Sequence, residues 1–133
     1  MTTPNGLTPE VSQAIQEIRI QFTDIQVVVR PDGDGGGYVI VESVPLSEIY
    51  LQTETWMGFH ITYLYPDADV YPLFVRPDLT RVDGRPLGQG TSLETFEGQP
   101  AQQISRRSNH RNVSIDTAVL KLLKVLEWLN THQ

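Results

Sequence analysis

Basic side chains are concentrated in one short polar segment in the last quarter of the chain. Residues 104–112 contain Arg106, Arg107 and Arg111 together with His110. Arginine forks and the free N–H groups at the start of a following helix bind phosphate or carboxylate groups. The segment therefore predicts an anion- or nucleotide-binding site. The alternative interpretation is a solvated polar segment whose serine and asparagine side chains cap the helix.

Metal-binding residue types occur without a metal-binding pattern. Asp32 and Asp34 begin like a calcium loop, but no glutamate follows at the required distance and the flanking segments have the pattern of strands. His60, His110 and His132 are far apart in the sequence and form no zinc motif. We interpret the aspartates as part of a flexible hairpin tip, and we expect no metal and no cofactor.

Patterns typical of hydrolases and nucleotide-binding loops are also absent from the sequence. Ser105 and Ser108 lie near His110, but no nucleophile-elbow pattern surrounds them. Residues 84–90 are rich in glycine, but they lack the Walker lysine and the Rossmann spacing. These residues predict a surface loop, and no recognisable catalytic constellation marks the chain as an enzyme.

Composition excludes several classes of function. The chain of 133 residues has no cysteine, so a thiolate nucleophile, a disulfide and a Cys-ligated metal are excluded. The formal charge is −6, with −9 in residues 1–100 and +3 in residues 101–133, which disfavours general nucleic-acid binding. Because no apolar run approaches the roughly 20 residues of a membrane span and no signal peptide is apparent, we expect a cytoplasmic protein.

Hydrophobic periodicity predicts one α+β domain over residues 1–133, with residues 1–7 as a flexible N-terminus. The predicted elements are helix 8–22, strands 25–30, 38–42, 56–64 and 70–75, and helix 115–129. Residues 76–100 are dominated by turn-forming residues and predict a long loop. Pro72 predicts that the last strand lies at a sheet edge or a bulge. The expected architecture is an antiparallel four-stranded meander flanked by N-terminal and C-terminal helices.

The C-terminal helix has an unusually wide apolar face. Its predicted polar stripe is narrow and consists of Thr117, Lys121 and Lys124. A helix with this distribution is either well buried or contacts a partner with its second face. A structural role in a larger assembly is therefore a third hypothesis, and the sequence does not define the oligomeric state.

One stretch of sequence resembles a known family. Residues 56–66 end in Tyr65-Pro66, and they are followed by Val70-Tyr71-Pro72 and then Arg76-Pro77-Asp78-Leu79. Together with the predicted order of helices and strands, this pattern resembles the ubiquitin-conjugating enzyme fold, its inactive variants and the RWD-type domains. The resemblance covers roughly residues 8–87 and a terminal helix.

The departures from that family concern its catalytic centre. Arg76-Pro77-Asp78 stands where the family has His-Pro-Asn, and an ionised Asp78 has no amide donor for an oxyanion. Residues 82–87 occupy the stretch that carries the catalytic cysteine, and Pro86 or Leu87 stands near that point. This chain alone therefore cannot form a thioester with a ubiquitin-like protein.

The resemblance thus implies a non-catalytic binding scaffold. Inactive variants of the family hold a ubiquitin-like protein or an active conjugating enzyme, and bacterial relatives occur in ubiquitin-like conjugation or antiviral operons. The implied contacts involve the sheet edge and the 76–100 loop. The residues expected to bind the protein partner are Tyr65, Pro66, Tyr71, Pro72, Arg76 and Asp78.

Overall fold

The fold contains both helices and strands. The computed structural model describes residues 6–88, 90–105 and 116–131. Within these ranges the elements, in chain order, are α1 (Pro9–Gln21), β1 (Val27–Pro31), β2 (Gly37–Pro45), β3 (Glu54–Ile61), β4 (Leu73–Val75), β5 (Thr91–Phe96), β6 (Gln99–Ile104) and α2 (Ala118–Thr131). The α+β class predicted from the sequence is confirmed.

Helix α1 begins where the sequence predicts it. The Thr8 hydroxyl accepts a hydrogen bond from the Val11 N–H at 3.1 Å, and Pro9 occupies the first turn, where no N–H partner is needed. The residues that recur at helical spacing form its buried face; they are Val11, Ala14, Ile15 and Ile18. An N-cap and an apolar stripe therefore define this helix.

The sheet differs from the predicted one. Its described strands form one antiparallel sheet of six strands in the order β1-β2-β3-β4-β6-β5. The four-stranded meander was wrong because the predicted 76–100 loop contains β5 and the start of β6. The edge assignment of the 70–75 strand was wrong too: β4 lies between β3 and β6, and Pro72 precedes it.

The two faces of the sheet have different environments. Alternate residues of β2, β3 and β4 are buried with α1 and α2 in one hydrophobic core; they are Val39, Val41, Met57, Phe59, Ile61, Leu73 and Val75. The residues between them point away from the helices and form the outer face; they are Tyr38, Ile40, Trp56, Gly58, His60 and Phe74. The outer face is therefore not covered by either described helix.

Helix α2 is held at both ends by the rest of the chain. At its start the Ala118 N–H donates to the Tyr65 hydroxyl at 3.0 Å. Near its end the Tyr50 hydroxyl donates to the Leu129 carbonyl at 2.5 Å, and the Ser47 hydroxyl donates to the Asn130 carbonyl at 2.8 Å. These side chains pair groups that a helix leaves free at its termini.

The wide apolar face of α2 is largely used inside the molecule. Leu123, Leu126 and Trp128 pack against the core although they are only partly buried. Lys121, predicted on the polar stripe, is buried, and its ammonium donates to the Asp69 carboxylate at 3.0 Å. The placement of Lys121 was wrong because an acidic partner from the β3–β4 connection offsets the cost of burying the charge. Neither described helix is long and apolar enough to cross a membrane.

Candidate functional site

The six residues predicted to bind a partner do not line one surface. Arg76 and Asp78 line a cleft of about 460 Å³, whereas Tyr65 and Pro66 line a different cavity of about 360 Å³ next to α1. Tyr71 and Pro72 are half-buried just before β4 and line neither of these two spaces. The predicted site is therefore divided, and each part has its own surroundings.

Tyr65 has a structural position. Its side chain is buried and its hydroxyl accepts the first N–H of α2. The Tyr65–Pro66 and Tyr71–Pro72 peptide bonds are both cis. Tyr65 therefore fixes the start of α2 and offers a partner only the part of its ring that lines the cavity beside α1.

The cleft that contains Arg76 lies on the outer face. We call it the Trp56 cleft, and its lining residues are Glu42, Glu54, Thr55, Trp56, Arg76, Pro77 and Asp78. Strands β2 and β3 supply four of these side chains, and the turn directly after β4 supplies Arg76, Pro77 and Asp78, so the sheet holds most of the cleft in place. A site on neighbouring strands is better fixed than a site on a mobile loop.

Arg76 and Asp78 form a bidentate ion pair in this cleft. Arg76 Nε lies 2.6 Å from Asp78 Oδ1, and Arg76 Nη2 lies 2.8 Å from Asp78 Oδ2. Arg76 Nη1 also donates to the Glu54 carbonyl at 2.9 Å. The hydrogen bonds from Arg76 lower the pKa of the Asp78 carboxyl below its ordinary value. Asp78 is therefore an ionised acceptor whose charge is neutralised by its neighbour.

Two further carboxylates leave the Trp56 cleft negatively charged. Glu54 accepts a hydrogen bond from the Ser43 hydroxyl. Glu42 is exposed, and its carboxylate makes no hydrogen bond or ion pair with the described part of the chain. The described residues that line the cleft include three carboxylates and one guanidinium, so their net formal charge beside the indole of Trp56 is −2. An indole face and nearby carboxylates together favour a cation.

An aromatic cluster supports the wall of the cleft. Phe96, at the end of β5, stacks on Phe74 with ring centroids 4.7 Å apart and on Trp56 at 6.2 Å. It lies over Gly58, where a side chain would collide with its ring. The β5–β6 hairpin therefore bends across the outer face and fixes Trp56 from one side.

A charged pair holds the hairpin tip against β1. Arg30 donates to both carboxylate oxygens of Glu97 at 2.8 and 2.6 Å, and its guanidinium lies 4.5 Å from the centroid of the Tyr38 ring. Glu97 and Gly98 form the two-residue turn and both have positive φ, 50° and 79°. This turn has the backbone conformation that matches the twist of adjoining strands.

The glycine-rich hairpin tip is an ordered hydrogen-bonded loop. Asp32 Oδ1 accepts from the N–H groups of Asp34 and Gly36 at 2.7 and 3.1 Å, and Asp32 Oδ2 lies 2.7 Å from His60 Nε2. Burial alone would raise the pKa of the Asp32 carboxyl, but these hydrogen bonds outweigh it and lower the pKa. Asp32 therefore acts within the loop, and the β1–β2 hairpin predicted there is confirmed.

The structure does not describe the residues of the predicted anion-binding site. Arg106, Arg107, His110 and Arg111 of the anion-site prediction, with the caps of the following helix, lie outside the described residues. The described residues contain no group of three or more His, Asp or Glu side chains that would hold a metal ion.

Sequence reasoning missed both the Trp56 cleft and the hairpin that supports it. The available signal for the hairpin was the two-residue Glu97-Gly98 turn. It separates a run that ends in Phe96 from a run that begins at Gln99. No spacing in the sequence links Glu42 to Arg76, because they meet only through strand pairing.

Comparison with protein-family models, with curated proteins and with solved structures finds no match to this chain. The resemblance to ubiquitin-conjugating enzymes therefore stays a prediction from residues 56–79. The four-stranded order of elements that also suggested it is not the order in the structure, which has two further strands. The Trp56 cleft stands on its geometry alone.

Proposed function

We propose that this chain is a non-catalytic protein-interaction module that binds a ubiquitin-like protein or an enzyme of a ubiquitin-like conjugation pathway in the cytoplasm. The observation that carries the proposal is the Trp56 cleft, which places an aromatic wall beside an excess of carboxylates on the sheet. The resemblance of residues 56–79 to inactive conjugating enzymes supplies the class of partner.

The chemistry of the cleft favours binding over catalysis. The chain has no cysteine, so it has no thiolate to accept a ubiquitin-like protein. At the position that resembles the family's His-Pro-Asn motif, the Asp78 carboxylate already accepts both donors of the Arg76 fork. A carboxylate held in this way has no donor for a developing oxyanion, so it gives no help to acyl transfer.

The charge of the cleft defines the part of the partner that it contacts. A lysine or arginine side chain placed over Trp56 gains a cation–π contact of roughly 0.5–2 kcal/mol, with attraction to Glu42 and Glu54 in addition. Acidic residues outnumber basic residues within residues 1–100, and this excess of negative charge extends the attraction over a wider surface. We therefore propose that a basic segment of the partner lies in the Trp56 cleft.

Affinity capture from the native organism, read by mass spectrometry, tests the class of partner. The wild-type chain is compared with Glu42→Lys, which reverses a charge in the cleft. The control is Glu127→Lys, the same change on the exposed side of α2 and outside the cleft. We expect the wild type and Glu127→Lys to recover a ubiquitin-like protein, an adenylating enzyme or a cysteine-bearing conjugating enzyme, and Glu42→Lys to lose most of it.

The two parts of the proposal fail separately. Recovery of only nucleic-acid-binding or metabolic proteins would overturn the assigned partner class. Recovery of the expected partner in equal amounts by Glu42→Lys would overturn the role of the Trp56 cleft and direct attention to the cavity lined by Tyr65 and Pro66.

A further inference from the structure

The edge of the sheet formed by β5 has main-chain groups with no described partner. In the β5–β6 ladder, Thr95 stands opposite Pro100, which has no N–H, and the Ser105 N–H donates to the Gly90 carbonyl at 2.7 Å. Hydrogen-bonded and non-bonded pairs alternate along an antiparallel ladder. Thr91, Leu93 and Thr95 are therefore the residues whose N–H and C=O groups point outward from β5.

No described residue covers this edge. β5 is the last strand of the sheet, and no hydrogen bond from another described segment reaches the outward main-chain groups of Leu93 and Thr95. The side chain of Leu93 is 70% exposed, and its neighbours Ser92 and Glu94 are exposed as well. An apolar side chain at the centre of an open strand edge favours pairing with another strand.

The opposite edge of the sheet is protected against pairing. In β1 the Val27 carbonyl accepts a hydrogen bond from Arg19 Nη1 at 2.8 Å. Pro31, at the end of the same strand, has no N–H to donate. Both are common ways in which proteins block a sheet edge, and the described residues place neither on β5.

We propose that β5 pairs antiparallel with β5 of a second copy of this chain, with the two-fold axis at Leu93. In this register Leu93 faces Leu93 of the second copy, Thr91 faces Thr95, and Ser92 faces Glu94. Each outward N–H and C=O of β5 then acquires a partner, because opposing residues of such pairs exchange two hydrogen bonds. The two sheets become one continuous sheet.

The side chains of β5 favour a second copy over an unrelated peptide. The sequence Thr91-Ser92-Leu93-Glu94-Thr95 is complementary to itself when reversed: threonines face threonines and the two leucines meet at the centre. Each Glu94 carboxylate faces a Ser92 hydroxyl that can donate to it, so no like charges stand directly opposite. Two-fold interfaces of this self-complementary kind are the commonest among soluble homo-oligomers.

Analytical ultracentrifugation over a range of concentrations tests the pairing. We expect the wild-type mass to double as concentration rises. Leu93→Pro removes an outward donor that pairs with no described residue of the monomer, so it should stay monomeric with an unchanged melting temperature. Leu93→Thr keeps the donor on the same exposed site and should still dimerise. A wild-type chain that is monomeric at millimolar concentration, or a Leu93→Pro variant that dimerises like the wild type, would overturn the proposal.

The absence of native cysteine allows a direct test of the register. Facing residues of a hydrogen-bonded pair have Cα atoms about 5.5 Å apart, a distance that a disulfide spans. Leu93→Cys should therefore form a covalent dimer under mild oxidation, visible by non-reducing electrophoresis. Thr95→Cys is the control. In this register residue 95 of one copy lies four residues along the strand from residue 95 of the other, roughly 13 Å away. Equal cross-linking of the two variants, or none with Leu93→Cys, would refute this register.

Discussion

At the scale of single residues, Trp56 connects the two features of the outer face. One side of its ring packs on Phe96, and the residue also lines the cleft that contains Glu42 and Arg76. The hairpin thus restrains the indole from one side. The geometry of the cleft depends on a residue that is distant from it in sequence.

The environment of Trp56 gives a direct optical test of the charge preference. In a Trp128→Phe background Trp56 is the single tryptophan of the chain, and we expect hexalysine to change its emission in a saturable, salt-sensitive manner. Hexaglutamate should leave the emission unchanged, because the cleft repels anions. Quenching by both peptides to the same degree would show that charge does not determine entry to the cleft.

Asp32 gives a testable dependence of stability on pH. Its lowered pKa means that the folded state favours the carboxylate, so its contribution to stability is present above about pH 4 and lost as the pH falls through the folded pKa. Asp32→Asn should lower the free energy of unfolding by about 1–3 kcal/mol at pH 7, and the deficit should shrink towards pH 3. Urea titrations at several pH values measure this difference.

The control for this experiment is the neighbouring carboxylate. Asp34 is exposed and is bonded to Asp32 through its main-chain N–H, which a side-chain substitution keeps. Asp34→Asn should therefore be nearly neutral at every pH. If both variants lost the same stability, the hydrogen bonds to the Asp32 carboxylate would not be its source.

At the level of secondary-structure elements, the β5–β6 hairpin contacts strands of the sheet with which it is not paired. Its tip reaches β1 through the Arg30–Glu97 pair and covers β3 at Gly58 through Phe96. A Cβ atom at residue 58 would lie 2.6 Å from Phe96 Cε2. Gly58 is therefore required because the ring lies directly on the backbone of β3.

Gly58→Ala should destabilise the protein by about 1–3 kcal/mol, because the ring or the hairpin must move to accept the methyl group. In a Phe96→Ala background the same substitution should cost much less, and the double-mutant cycle should give a coupling energy of about 0.5–3 kcal/mol. Chemical denaturation of the four proteins measures the cycle. Additive effects of the two substitutions would show that Phe96 does not lie on Gly58 in solution.

At the scale of the whole molecule, one hydrophobic core joins the helices to the sheet. Buried residues of α1, α2 and the inner face belong to the same cluster, which also includes Leu7 before α1. Tyr65 and Lys121 connect the β3–β4 region to α2, and Ser47 and Tyr50 connect the β2–β3 region to its other end. Of the described elements, β5 alone contributes no residue to this core, since its buried Phe96 lies on the outer face.

This architecture predicts a single cooperative unfolding transition. Trp56 reports on the outer face and Trp128 on α2, so single-tryptophan variants observe opposite sides of the sheet. Their fluorescence transitions in urea should coincide with each other and with far-UV circular dichroism. An earlier transition at Trp56 would indicate that the hairpin and outer face unfold separately from the core.

Local sequence signals were sufficient to predict several elements. The Thr8 cap, Pro9 and the apolar spacing of residues 11–18 defined α1, and β-branched runs around a glycine-rich turn defined the β1–β2 hairpin. The absence of cysteine likewise decided against thioester chemistry without any structure. Each of these conclusions depends on residue type or on neighbours within a few positions.

Only the tertiary structure decided the number of strands, the position of β4 and the existence of the Trp56 cleft. Residues 92–95 of β5 are exposed on both faces of the sheet, so the strand has no apolar alternation and periodicity could not reveal it. Glu42, Trp56 and Arg76 meet because β2, β3 and β4 pair in a particular register. Strand pairing is a contact between distant parts of the chain, and local sequence does not encode which segments will lie side by side.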